Sequence, residues 1–140
     1  MAVEKALQLV TFPAGADLST KQYHLVEQAS DGEVTAANAP GDAIVGVLQN
    51  KPAAAARAAS VAIGGITKVA ASSTAGGGAF TPGTQLIANS AGRVVEFAGS
   101  DASHYIIGRS MDTTTTGTAA GAGNSIISMH ITHEGFGSTV

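Results

Sequence analysis

The sequence contains no cysteine and no tryptophan, and it has few charged and few aromatic residues. Among its 140 residues, 12% are charged and 4% are aromatic. The absence of cysteine excludes a disulfide framework, a cysteine-based zinc ribbon and a thiol nucleophile. The scarcity of aromatic residues argues against an aromatic-lined ligand groove. The 18 glycines instead favour a compact protein with many turns and a largely neutral surface.

No local stretch of the sequence concentrates charge of one sign. The seven Lys and Arg residues are scattered singly and the net charge is −3, so the electrostatic signature of a nucleic-acid-binding surface is absent. No segment approaches the roughly 20 apolar residues of a membrane span. Glu4 and Lys5 precede only a short apolar segment, which predicts no signal peptide. We therefore expect neither nucleic acid nor a membrane as a partner.

The chain is organised around residues 43–70. An apolar strand over 44–49 is closed by Lys51-Pro52, and a second strand is predicted over 60–71. Gly64-Gly65 interrupts the alternation of the second strand. A double glycine inside a strand pattern is typical of a bulge or a tight bend. This stretch is therefore interpreted as the middle of a small, strongly bent sheet.

Short strands separated by turns are predicted along the rest of the chain. Asp31-Gly32 is a strong hairpin signal, and no helix is convincing. The predicted fold is mainly β, a small single-domain antiparallel barrel or sandwich of about eight short strands with an extended N-terminal arm. The further strands are expected at 22–28, 33–37, 84–89, 93–98, 104–111 and 124–132.

Three regions follow from this pattern. Residues 1–14 are predicted to be an N-terminal arm, residues 15–132 the β domain, and residues 133–140 a C-terminal tail. The first twelve residues of the arm are either an ordered strand or mobile. Within the domain, the Thr/Ala/Gly segment 113–123 is expected to be a long flexible loop.

The residues that could carry catalysis or bind metal do not form a recognised pattern. His130 and His133 are three apart, which on a regular strand places them on opposite faces. Asp101, His104 and one of the many serines could be combined into a catalytic triad, but no Gly-x-Ser-x-Gly nucleophile elbow is present. The glycine-rich segments 76–78 and 117–123 lack the Lys-Ser/Thr of a phosphate loop. We predict no catalytic, cofactor-binding or metal-binding residues, no cofactor, and a protein that is not an enzyme.

Several blocks of the sequence together resemble a known family. They include Gly46-Val47-Leu48-Gln49-Asn50-Lys51-Pro52 and Val61-Ala62-Ile63-Gly64-Gly65-Ile66-Thr67-Lys68-Val69. The chain resembles the capsid decoration (cement) proteins of tailed phages and prophages from about residue 15 to residue 131. Relatives sometimes carry a recombinase-like label, which this sequence does not support because it lacks the phosphate loop.

The resemblance implies a structural virion protein. Cement proteins bind the outside of the expanded head and stabilise it by bridging capsomers. The expected partners are the major capsid protein and further copies of the chain, as a homotrimer or alternatively a dimer. The expected location is the outer capsid surface, after synthesis in the host cytoplasm. The arm is hypothesised to contact the capsid or a neighbouring subunit, so that deleting residues 1–12 should abolish binding and leave the fold intact.

Two alternatives remain open. One is another phage structural β module, such as a tail or fibre component. The other is a small β carrier domain modified at Lys68, although carrier lysines lie at a hairpin tip and Lys68 lies within a strand pattern.

Overall fold

The structure is a computed structural model that describes residues 5–29, 31–72, 80–97, 99, 102–113 and 125–137. In these ranges the chain forms nine β-strands and no helix. The strands are β1 (Lys5–Pro13), β2 (Leu25–Gln28), β3 (Val34–Ala36), β4 (Ile44–Leu48), β5 (Ala58–Ala71), β6 (Gln85–Ala88), β7 (Val94–Glu96), β8 (Tyr105–Ser110) and β9 (Ser125–Phe136).

The strands form one sheet that closes on itself twice, with the long strand β5 shared by both circuits. The first circuit has the order β1-β5-β4-β2-β3, and a bridge between Ala14 and Val34 joins its two ends. The second has the order β5-β7-β6-β8-β9, and β9 returns to β5 along residues 65–71. The strands pair antiparallel apart from the parallel contact between Ala71 of β5 and Val94 of β7, and the bridge between Ala14 and Val34 is parallel as well.

A bulge near the middle of β5 allows one strand to serve both circuits. Gln8 of β1 pairs with Gly64 but Leu9 pairs with Ala62, which leaves Ile63 as an extra residue on β5. Gly65 has a φ of 92°, a conformation that only glycine adopts at little cost. An extra residue exchanges the two faces of a strand. The interruption expected at the double glycine is therefore present as a β-bulge.

The exchange of faces is visible in the two hydrophobic cores. On a regular strand the odd-numbered residues would all lie on one face. In β5, however, Ala59 and Val61 pack in the smaller of two main cores, whereas Val69 packs in the larger one. Ala62, an even-numbered residue, packs with Val69. The larger core is built mainly from Leu25, Ala37, Ile44, Val47, Ala62, Val69, Ala71, Phe80, Leu86, Ala88, Val94, Ile107, Ile127, Met129 and Ile131. The smaller core contains Ala14, Leu18, Val26, Val34, Leu48, Ala59 and Val61.

β2, β4 and the first half of β5 lie between these cores. Consecutive residues of β4, Val47 and Leu48, enter the larger and the smaller core respectively. Leu25 and Val26 of β2 do the same. This explains why 44–48 is apolar almost throughout instead of alternating: a strand buried on both faces has no solvent side.

The all-β, single-domain prediction is confirmed, with nine strands instead of about eight. The additional strand is β1, which occupies most of the predicted arm and pairs along β5. β1 also packs Phe12 against the smaller core. Deletion of residues 1–12 would remove this strand, so the expectation that it leaves the fold intact does not agree with the structure. Residues 1–4 lie outside the described part of the chain.

β9 extends past residue 132, where the sequence placed the end of the domain. Tyr105 of β8 pairs with Phe136, and the ladder contains a register shift before Gly135. His133 and Gly135 have positive φ values of 46° and 84°. The alternation of apolar and polar residues along β9 is lost at this irregularity. The sequence pattern therefore predicts that the strand ends earlier than it does. Residues 138–140 of the predicted tail, and almost all of the predicted loop 113–123, lie outside the described residues.

Candidate interaction surface

His24 is a structural histidine at the start of β2. The residue is only 6% exposed, and its Nδ1 lies 3.1 Å from the carbonyl oxygen of Gln22. Burial lowers the pKa of His24, and the nearby positive charges of Arg93 and Lys21 lower it further against the effect of the hydrogen bond to Gln22. The neutral ring therefore belongs to the packing of the sheet.

His133 connects three strands. Its Nε2 lies 3.1 Å from the carbonyl oxygen of Ile63 on β5, and its Nδ1 lies 3.2 Å from the hydroxyl of Tyr105 on β8. Since a carbonyl can only accept, Nε2–H donates to Ile63, and Nδ1 shares the second hydrogen bond with the Tyr105 hydroxyl. His130, by contrast, is exposed and pairs with Arg109 across β8 and β9. The two histidines have different surroundings and are not gathered at one site.

Lys68 lies within β5, opposite Ser128 of β9. Its Nζ is 5.8 Å from the centroid of the Tyr23 ring, a cation–π contact. Tyr23 adopts a positive φ of 64°, and its backbone bonds tie Leu48 of β4 to Ala70 of β5. A lysine in mid-strand beside an aromatic ring lacks the projecting hairpin position that a swinging carrier arm requires.

No group of three or more His, Cys, Asp or Glu residues in the described part of the chain could hold a metal ion. All buried side-chain nitrogen and oxygen atoms there have hydrogen-bond partners. His104 contacts the ring of Phe97 edge to face, at 6.2 Å between centroids. Asp101 and the glycine-rich segments 76–78 and 117–123 lie outside the described residues. No described helix is long and apolar enough to cross a membrane.

The polar side chains of β6, β8 and β9 form one exposed network. Arg109 donates two hydrogen bonds to the carboxylate of Glu134, at 2.8 and 3.0 Å, and a third to the carbonyl of Gly83. Gln85 and Thr132 also donate to Glu134. Burial opposes ionisation of Glu134, but these hydrogen bonds outweigh it and lower its pKa. The network holds the outer face of these strands together.

Four large apolar side chains remain exposed in the described residues. Leu9 on β1 is 53% exposed and Phe136 at the end of β9 is 56% exposed, with Met111 and Ile126 somewhat less so. The Phe136 ring packs edge to face on Tyr105, at 5.5 Å between centroids. Exposed aromatic and aliphatic groups on a rigid sheet are the side chains that most often anchor protein–protein contacts.

Sequence reasoning did not find these residues. Leu9 lies in an apolar stretch whose neighbours Val10 and Phe12 are partly buried, so composition does not separate it from them. Phe136 lies in a segment interpreted as a tail. The period of two along a strand, which places Leu9 and Thr11 on one face and Val10 and Phe12 on the other, is the one signal that could have singled out Leu9.

The described residues thus form a small all-β protein with two main hydrophobic cores, a third small cluster of Ile87, Val95 and Ile106, and four exposed large apolar side chains. A solved structure with a similar fold is the N base of the head fibre protein gp8.5 of bacteriophage phi29. The match covers 94% of this chain and 100% of that chain, with a TM-score of 0.61 and 15% sequence identity. At this identity the likeness shows the fold alone. No protein-family model and no curated protein matches the sequence, so the resemblance to cement proteins stays a prediction.

Proposed function

We propose that this chain is a structural protein of a phage head that binds the outer surface of the expanded capsid and stabilises it by bridging capsomers. The observation that carries the proposal is the similarity of almost the whole chain to the base of a phage head fibre. The sequence resemblance to cement proteins supports the same class independently. The partners are the major capsid protein and further copies of the chain.

The physical character of the molecule suits this role. A sheet packed on two main cores is rigid, and its exposed apolar residues lie on β1, on β9 and just after β8. Modest affinity at each contact is sufficient when an oligomer engages several capsid sites at once, because the later contacts form at high effective concentration.

The test is co-sedimentation of the purified protein with expanded, decoration-free heads and, beside them, with unexpanded proheads. Saturable binding to expanded heads alone is the expected result, and the copy number per head identifies the symmetry of the site. Absence of binding to either particle would overturn the proposal.

Single serine substitutions then locate the contact. Leu9, Met111, Ile126 and Phe136 are replaced one at a time, and Gln28→Ser is the control because Gln28 is an exposed polar residue on a strand. Loss of one anchor should weaken binding by about ten-fold or more. Deletion of residues 1–12 is unsuitable, because it removes β1 and the Phe12 side chain from the smaller core.

A second candidate is the base of a head-attached fibre, since the similar solved structure is one. Binding confined to a small subset of capsid sites, together with a requirement for a longer fibre segment, would favour this function over general decoration. An unmodified intact mass of the chain from native cells would exclude the carrier alternative at Lys68.

A further inference from the structure

Within the described part of the chain, one edge of β1 has no strand partner. From Lys5 to Pro13 its only strand partner among the described residues is β5. The bridge to β3 involves Ala14, just beyond the end of the strand. Leu9 is 53% exposed, and Thr11 is also exposed.

The hydrogen bonds of the neighbouring residues show which backbone groups face this edge. Ser60, which pairs with Thr11, accepts a bond from the N–H of Gln49 and donates its own N–H to Asn50, on the far side of β5. Ser60 thus directs its N–H and C=O away from β1, which makes Thr11 and Ser60 a non-hydrogen-bonded pair. In such a pair both residues direct their backbone groups outward, so the N–H and C=O of Thr11 point away from β5. The backbone of Ala14 confirms the alternation, because its N–H and C=O bond to Arg57 and Ala56 on the β5 side.

The same alternation applies two residues earlier. The register is regular from Leu9 to Pro13, so Leu9 also directs both backbone groups to the open edge. Pro13 occupies the next outward position and has no N–H to donate. The open edge thus presents two complete peptide donor–acceptor sets, at Leu9 and Thr11, and ends at a proline.

The features that normally protect an edge strand are scarce here. Edge strands are usually kept from pairing by charged side chains, bulges or short length. The charged Lys5 and Pro13 stand at the two ends of the strand, and the two register shifts against β5 flank Gln8, before Leu9. The part from Leu9 to Phe12 is regular, uncharged and open.

We propose that a second copy of this chain completes the edge, with the two β1 strands antiparallel across a two-fold axis at Val10. In this register Leu9 lies opposite Thr11 of the second copy on both sides of the axis. Each of these two pairs exchanges two backbone hydrogen bonds, so all four outward groups of each strand are satisfied. The Leu9 side chain then lies beside the Thr11 side chain of the second copy on the same face of the sheet.

Self-pairing is favoured because the edge is complementary to itself. Lys5 is the single charged residue of the strand, and it lies outside the paired segment from Leu9 to Thr11. The inference does not rest on the proposed capsid function, since its tests use the purified chain alone.

The first test is sedimentation equilibrium of the full-length chain over a range of concentrations. The wild-type protein should reach twice the 13.8 kDa chain mass. Leu9→Lys should weaken the association by about ten-fold or more, because it places charge on the edge. Ile126→Lys is the matched control: Ile126 is an exposed apolar residue of another strand, and its substitution should leave the association unchanged.

The second test uses the absence of cysteine. Leu9→Cys and Thr11→Cys proteins are prepared separately and oxidised alone and as a mixture. A hydrogen-bonded antiparallel pair has Cα atoms about 5.5 Å apart, within the range for a disulfide, so the mixture should form a cross-linked heterodimer in higher yield than either protein alone. Thermal melts verify that both variants fold.

Each contrary result overturns the proposal. A monomeric wild-type chain at all concentrations would show that β1 does not pair with a second copy. Equal effects of Leu9→Lys and Ile126→Lys, or equal cross-linking in the mixture and in each separate protein, would exclude this edge and register as the contact.

Discussion

Gly46 is the position where a single added methyl group should damage the fold most. It lies buried in β4 and pairs with Val26 of β2. A Cβ at this position would collide with the carbonyl oxygen of Ala62 and lie 2.9 Å from both the Ala62 carbonyl carbon and Val61 Cγ1. These atoms belong largely to the backbone of β5, which cannot move aside without opening the β4–β5 ladder between the two cores.

The expected cost of Gly46→Ala follows from this collision. Overpacking a well-packed core typically costs about 1–3 kcal/mol, and a clash with backbone belongs at the upper end. For a chain of this length, about 3 kcal/mol corresponds to a melting temperature lower by roughly 10 °C. Urea denaturation and thermal melting, both followed by circular dichroism, measure the change.

Gly64→Ala is the matched control. A Cβ at Gly64 would meet only the Gln8 side chain, with its Oε1 at 3.0 Å, and this flexible end can move. The substitution should change the free energy of unfolding by less than about 1 kcal/mol. If Gly46→Ala were no more destabilising than Gly64→Ala, the close approach of β4 to β5 would be refuted.

Three further predictions concern polar groups. Thr67→Val should destabilise the protein by about 1–2 kcal/mol, because the buried Thr67 hydroxyl accepts from Gln49 Nε2 at 2.9 Å; urea midpoints measure it, and an unchanged midpoint would contradict it. The pKa of His24 is lowered below its ordinary 6.5, so the unfolded chain binds more protons than the folded chain and the free energy of unfolding should fall as the pH decreases through about 6.5. His24→Gln should flatten this part of the plot of stability against pH. An identical slope in the variant would refute the role of His24. The pKa of Glu134 is lowered below 4.5, so the ionised carboxylate stabilises the fold above pH 4.5 and this stabilisation should be lost as the pH falls below 4.5. Glu134→Gln should reduce this loss of stability in acid. Arg109→Gln should reduce it as well if the Arg109–Glu134 ion pair is responsible.

Local signals located most strands correctly. Asp31-Gly32 forms the predicted hairpin turn, with Gly32 at a φ of 86°, and β4 and β8 lie within their predicted segments. These features depend on neighbouring residues, since turn chemistry and the period of two act within a few positions. The exposure of Leu9 and Phe136 could not be predicted in the same way, because it depends on which strands cover these residues.

The sequence by itself determined that this is a small all-β protein without thiol chemistry, bent at Gly64-Gly65. Only the tertiary structure decided that β1 pairs within the chain, that β4 is buried between two cores, and that His133 ties β9 to Ile63 of β5. The reason is the separation of the partners along the chain. Leu9 meets Ala62 across 53 residues, and pairing at such distances is selected by the packing of all strands together, which no local pattern records.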